Sequence, residues 1–145
     1  MNRLCVGGLI HSYLQTMYAN EKMNMSDYNL TTAEEKLAEI IWQNAPMTSP
    51  KLVDIAQEKL EWKKSTTYTV LKRLCDKGIF LNANATVTVA LTHKELLARQ
   101  SREFVDNTFS GSLPGFIAAF VGNSKLSSKE AEELVQLIES HQEVR

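Results

Sequence analysis

Residues 62–79 read WKKSTTYTVLKRLCDKGI, and the reading of this stretch decides the fold. Val70, Leu71 and Leu74 stand at helical spacing, with Thr67 one turn earlier on the same face. Ser65 or Thr66 is placed to cap this helix by accepting from the free N–H groups of its first turn. Gly78 stands where a left-handed residue ends a helix, and Lys77 suits the negative end of the dipole. The opposite face carries Thr66, Thr69, Lys72 and Arg73, with Lys63 and Lys64 at its mouth. Five basic residues here meet one acid, Asp76. Hydroxyls reach base edges and cations neutralise phosphates, so this face suits a helix laid in a DNA major groove. The candidate contact set is Lys63, Lys64, Ser65, Thr66, Tyr68, Thr69, Lys72 and Arg73. An ordinary amphipathic helix with a solvated basic face has the same pattern, and only the flanking sequence separates the two.

Upstream, Met47-Thr48-Ser49-Pro50 is a helix start, with Ser49 as cap and Pro50 at the first helical position. The helix it opens carries Leu52, Val53, Ile55, Ala56 and Leu60, and residues 61–64 join it to the basic helix. Two short helices joined this way, the second basic and rich in hydroxyls, form a helix-turn-helix pattern. Downstream, Asn82 to Ala85 is a polar turn, and Thr86-Val87-Thr88-Val89 is a β-branched run that predicts a strand. Helix, helix, hairpin is the winged variant. The expected class is therefore mainly α with a small β-hairpin: a winged helix-turn-helix followed by a helical arm.

The apolar fraction of 43% supports one packed core, and the net charge of −1 excludes a generally basic nucleic-acid coat protein. Residues 30–92 carry eight Lys and Arg against seven acids, and residues 93–145 carry six against eight. The basic excess is local to the 62–79 helix, as a DNA footprint requires. Cys5 and Cys75 have no spacing motif, so neither a disulfide framework nor a zinc site is expected, and a reduced cytoplasm is the natural setting.

Three segments follow from the patterning: an N-terminal extension over 1–29, a winged-helix DNA-binding domain over 30–92 and a helical dimerisation region over 93–145. The extension has an apolar run, Leu4 to Ile10, that is too short and too interrupted by Gly7-Gly8 for a signal peptide. It reads as a flexible tail, with Met23 or Met25 as a possible natural start. Leu9, Tyr13, Leu14 and Met17 offer a competing helical face. Thr32 with Glu35 is a capping box for a first helix bearing Leu37, Ile40, Ile41 and a core Trp42. Thr92 with Glu95 opens a long helix that Gly111 breaks, residues 113–121 form a short apolar segment, and Ser127 with Glu130 opens a last helix. A contiguous apolar patch on these elements argues for a symmetric dimer. Its proposed contacts are Leu97, Phe104, Phe109, Leu113, Phe116, Ile117, Phe120, Leu134 and Ile138.

From residue 30 to residue 140 the chain resembles the penicillinase-repressor family of winged-helix regulators. The most specific residues are Trp62, Thr66, Thr69-Val70-Leu71, Lys72-Arg73-Leu74 and Asp76-Lys77-Gly78, supported by Ala33-Glu34 and Ile41-Trp42. The resemblance implies a homodimeric repressor on a palindromic operator, with Thr66, Thr69 and Arg73 matching groove-facing positions and residues 104–120 matching the dimerisation arm. It also implies an inducer or antirepressor as a further partner. Three departures stand out. The wing, Asn82-Ala83-Asn84-Ala85-Thr86, lacks the family's cation and internal glycine. Ala119-Phe120 replaces the Asn-Phe pair at which β-lactam-responsive members are cleaved. The cysteine cluster of copper-responsive members has no counterpart.

Catalysis is not expected. His11, His93 and His141 lie in separate segments without carboxylate partners at useful spacing, and no phosphate loop, metal-ligand pair or nucleophile elbow is present. No cofactor, no metal and no membrane association is expected. The alternative function is a winged helix used as a protein-interaction module; the uncharged wing favours it, and Lys63, Lys64, Lys72 and Arg73 oppose it.

Overall fold

The computed structural model describes residues 28–143. Helix α1 (Thr32–Asn44) begins with a capping box: Thr31 Oγ1 accepts from the Glu34 N–H at 3.2 Å, and Glu34 Oε2 accepts from the Thr31 N–H at 2.9 Å. The paired Thr31-Thr32 and Glu34-Glu35 allow two registers of this motif, and the Thr32–Glu35 register read from sequence is corrected to the other. Burial selects it, because Glu34 is only 2% exposed and is held by Lys77, whereas Glu35 faces solvent.

Strand β1 (Met47–Thr48) precedes α2 (Ser49–Leu60), and α3 (Lys64–Asp76) leads into β2 (Phe80–Ala83) and β3 (Thr86–Val89). The sheet has three antiparallel strands in the order β1-β3-β2, not the hairpin alone. Met47 opposite Val87 and Thr48 opposite Thr86 make Thr48 extended, so Thr48 and not Ser49 caps α2, its Oγ1 accepting from the Lys51 N–H at 3.3 Å. Ser49 is the first helical residue, is buried, and donates its N–H to Ala85 O at 2.8 Å. Between β2 and β3 the turn narrows to Asn84 and Ala85, both left-handed at φ 52° and 58°, the sign pattern of a type I′ hairpin turn.

The core is one cluster. Leu37, Ala38 and Ile41 from α1, Leu52 and Ala56 from α2, and Val70, Leu71 and Leu74 from α3 close over Phe80 and Val87 of the sheet. Thr67 is fully buried in it. Trp42 lies at its edge, with Nε1 donating to Leu91 O at 2.9 Å and its ring stacked on His93. Burying side chains of this size contributes about 1.5–3 kcal/mol each before the entropy of ordering is set against it.

Helix α4 (His93–Thr108) opens with the expected box, Thr92 Oγ1 accepting from the Glu95 N–H at 3.2 Å. By its internal contacts the chain divides inside α4, between Ser101 and Arg102. In the second unit Ser110 and Gly111, at φ 51° and 78°, end α4, and α5 (Leu113–Val121) and α6 (Ser128–Ser140) follow. Ser112 caps α5, and Ser127 with Glu130 forms the capping box of α6. Phe116 meets Phe104, Phe109 and Phe120 at ring-centroid distances of 5.8, 5.5 and 6.1 Å.

The tail expected over residues 1–29, with its competing Leu9 to Met17 face, lies up to residue 27 outside the described residues. Tyr28 and Asn29, at its end, are tied to the folded part. Tyr28 O accepts from Gln100 Nε2 at 2.6 Å, Tyr28 Oη bonds Arg99 Nη1 at 2.6 Å, and Asn29 O accepts from Lys77 Nζ at 2.9 Å.

Candidate nucleic-acid interface

The turn between α2 and α3 is made by Glu61 in the left-handed region at φ 57°. This reversal lets the Glu61 and Trp62 N–H groups turn back onto Gln57 O at 3.1 Å and Ala56 O at 3.3 Å. Trp62 is half-buried against the core and fixes where α3 departs. The helix cap therefore lies two residues before Ser65 and three before Thr66, the caps proposed from sequence. Lys63 is its N-cap, and neither Ser65 nor Thr66 caps it. Thr69 Oγ1 instead donates along the helix to Ser65 O at 2.9 Å. Among the described helices, α3 is the one whose N-terminus has no side-chain cap. Its first-turn N–H groups have no side-chain acceptor, and Lys63, Lys64 and Ser65 beside them are exposed, a combination suited to binding anions at a helix start.

Thr67, Val70, Leu71 and Leu74 are buried, so the opposite face of α3 is fixed outward. Lys63, Lys64, Ser65, Thr66, Thr69, Lys72 and Arg73 are all exposed on one continuous surface. Tyr68 is half-buried against the core, with Lys64 Nζ 5.9 Å from its ring centroid. Lys72 Nζ lies 3.8 Å from Asp76 on a side chain that is 81% exposed, a weak pair that leaves the ammonium free to exchange partners.

Lys77 leaves this surface. Its ammonium turns inward to Glu34 Oε2 at 2.6 Å, and both side chains are largely buried. Burial pushes the Glu34 carboxyl up, but the Lys77 hydrogen bond, the Thr31 N–H and the nearby Lys77 and Arg73 charges outweigh it and hold the group below its ordinary range. Sequence reasoning placed Lys77 at the helix dipole and named Glu34 only within the family resemblance, not as the partner of Lys77. The one available signal was the second register of the capping box. Cys75 is half-buried, and burial with the adjacent Asp76 charge raises its thiol to about 11, far from a reactive thiolate.

The wing offers Asn82, Ala83, Asn84, Ala85 and Thr86, all exposed and uncharged. In the second unit, Phe104, Leu113, Phe120 and Ile138 are 50–64% exposed, while Phe109, Phe116, Ile117 and Leu134 are partly covered. Leu97 belongs to the first unit, where it lines a groove beside Trp42 and His93. Ala119 and Phe120 are exposed on α5. Among the described residues no cluster of His, Cys, Asp and Glu suits a metal ion, and no helix is long and apolar enough to cross a membrane.

A helix-turn-helix with its second helix turned outward and a short hairpin beside it defines the winged-helix class. The sequence profile of the penicillinase repressor family matches residues 30–140, and the chain belongs to that family. It is 23% identical to the penicillinase repressor of Bacillus licheniformis over 116 residues, 77% of this chain and 91% of that protein. It is 22% identical to the methicillin resistance regulatory protein MecI of Staphylococcus aureus over 121 residues, 80% and 98% of the two chains. Among solved structures, the multiple antibiotic-resistance repressor (MarR) of Listeria monocytogenes superposes loosely, with a TM-score of 0.39 and 16% identity over 97% of this chain and 94% of that one. The chain is thus a transcriptional repressor by family and not an enzyme.

Proposed function

We propose that this repressor acts in the cytoplasm as a homodimer that lays α3 into the major groove of each half of an inverted-repeat operator. The observation that carries the reading is the exposed face of α3. Thr66, Thr69 and Arg73 recur at helical spacing, Lys63, Lys64 and Ser65 flank an uncapped helix start, and the reverse face is locked into the core. Phosphates would meet the free N–H groups and the lysines, while Thr66, Thr69 and Arg73 would meet base edges. The exposed phenylalanines and leucines of residues 102–140 would join two copies, so that operator symmetry mirrors protein symmetry. With an uncharged wing, phosphate contacts would rest on α3, which predicts a shallow salt dependence. An inducer or antirepressor would release the operator.

The test is fluorescence anisotropy of the purified chain on duplexes from its own upstream region, against scrambled DNA of equal length. Specific binding that requires both half-sites supports the proposal. The same uncharged wing favours a second reading, a protein-interaction module, and equal weak affinity for both duplexes would decide for it.

A further inference from the structure

We propose that the groove between α1 and the first turns of α4 binds a small organic cation with a flat apolar body. The groove encloses about 380 Å³, within the range of small-molecule sites. One wall is the Trp42 ring with His93 stacked on it, centroids 4.6 Å apart and planes inclined by 14°. Leu30 and Leu97, which is 49% exposed, supply apolar surface. Glu35 and Glu39 stand one helical turn apart on the lining. Among the described residues neither has a cation within ion-pair distance, and the one hydrogen bond found at Glu39 is from the neutral amide of Gln43 at 3.4 Å. Their neighbour Glu34, by contrast, is fully engaged by Lys77.

This combination selects a ligand class by exclusion. Two like charges one turn apart repel each other, and an anion would add to the repulsion. A hard metal ion needs six or more oxygen ligands, which an aromatic wall and apolar floor do not offer. A neutral apolar molecule would strip water from two carboxylates and give nothing back. An aromatic or alkyl cation neutralises the pair while its body lies against the Trp42–His93 stack, Leu30 and Leu97. The walls are already set, since Trp42 is held by its bond to Leu91 O and Gln100, also on the lining, is held by Tyr28 O at 2.6 Å. The site lies away from the exposed face of α3, and its test needs no DNA, so it stands or falls separately from the operator reading.

The experiment titrates the full-length chain into rhodamine 6G, a flat fluorescent cation, and follows anisotropy, with fluorescein as an anionic control of similar size. Saturable binding at one dye per chain is expected, with no saturable binding of fluorescein. Glu35→Gln combined with Glu39→Gln, both on exposed side chains, should weaken the cation by roughly tenfold or more without moving the melting temperature. In a Trp62→Phe background, Trp42 emission should quench in step with occupancy. Equal binding of both dyes, an unchanged affinity in the double variant, or Trp42 emission that ignores the ligand would each overturn the assignment.

Discussion

Replacing Lys77 with methionine should unfold this domain far more easily than a surface lysine-to-methionine change. The Lys77 ammonium sits 2.6 Å from Glu34 Oε2, and the two side chains are 20% and 3% exposed. Without it the carboxylate keeps the Thr31 N–H at 2.9 Å and loses its counter-charge in a nearly dry site. Breaking a buried pair by removing one partner costs about 3–5 kcal/mol; the partial exposure of Lys77 admits some water, so we expect about 2–3 kcal/mol here. For a domain of this size that lowers the melting temperature on the order of 10 °C. Glu34→Gln should cost less, about 1 kcal/mol, because the amide oxygen still accepts from Thr31. In a double-mutant cycle by urea denaturation the two should be strongly non-additive. The pH dependence carries a definite sign. Glu34 is held below the ordinary glutamate value of 4.5, so its contribution is fully present above that pH and is lost as pH falls through the lowered folded value. The stability gap between wild type and Glu34→Gln should therefore close in acid. A Lys77→Met protein that loses under 0.5 kcal/mol (about the ordinary surface effect) or a gap that persists in acid would refute the buried-pair argument.

Arg73→Ala should weaken operator binding by about 1–3 kcal/mol if Arg73 makes a bidentate base contact, whereas Lys72→Ala should weaken all sequences alike and reduce the salt slope by about 1; anisotropy titrations at several salt concentrations separate the two. Phe120, at 64% exposure, is the cleanest probe of the proposed dimer, since Phe116 also packs against three other rings of its own chain. Phe120→Glu would bury an unpaired charge in the contact, so sedimentation should show monomers, and operator affinity should fall with the lost bivalency. A dimer that survives moves the interface elsewhere. Ala85→Gly should stabilise the domain by up to about 1 kcal/mol, because alanine at φ 58° bears a Cβ penalty that glycine escapes. Thermal melts check this, and a lower melting temperature would mean that the turn is held by something other than its own backbone preference.

Much of this architecture was legible because it is written in local periodicity. The buried stripe Thr67, Val70, Leu71 and Leu74, the exposed Thr66, Thr69, Lys72 and Arg73, the break at Gly111 and the Ser127–Glu130 box all follow from spacings within one or two helical turns. Local spacing equally fixed the outward face of α3, since burying one side of a helix leaves the other to solvent. What it left open were choices between near-equal local options. Thr31 or Thr32, Thr48 or Ser49, and Ser65 or Lys63 are all tolerable starts. The first two were settled by partners distant in sequence, Lys77 and β3, and the third by the packing of the adjacent Trp62 against the core. Glu34 and Lys77 lie 43 residues apart and Trp42 and Leu91 lie 49 apart, so no helical or strand period connects them. Only the closing of the core brings those groups within bonding distance. That closure turned one expected surface cation into a buried latch, added Met47–Thr48 to the sheet as a third strand, and set Trp42 against His93 to form the groove beside it.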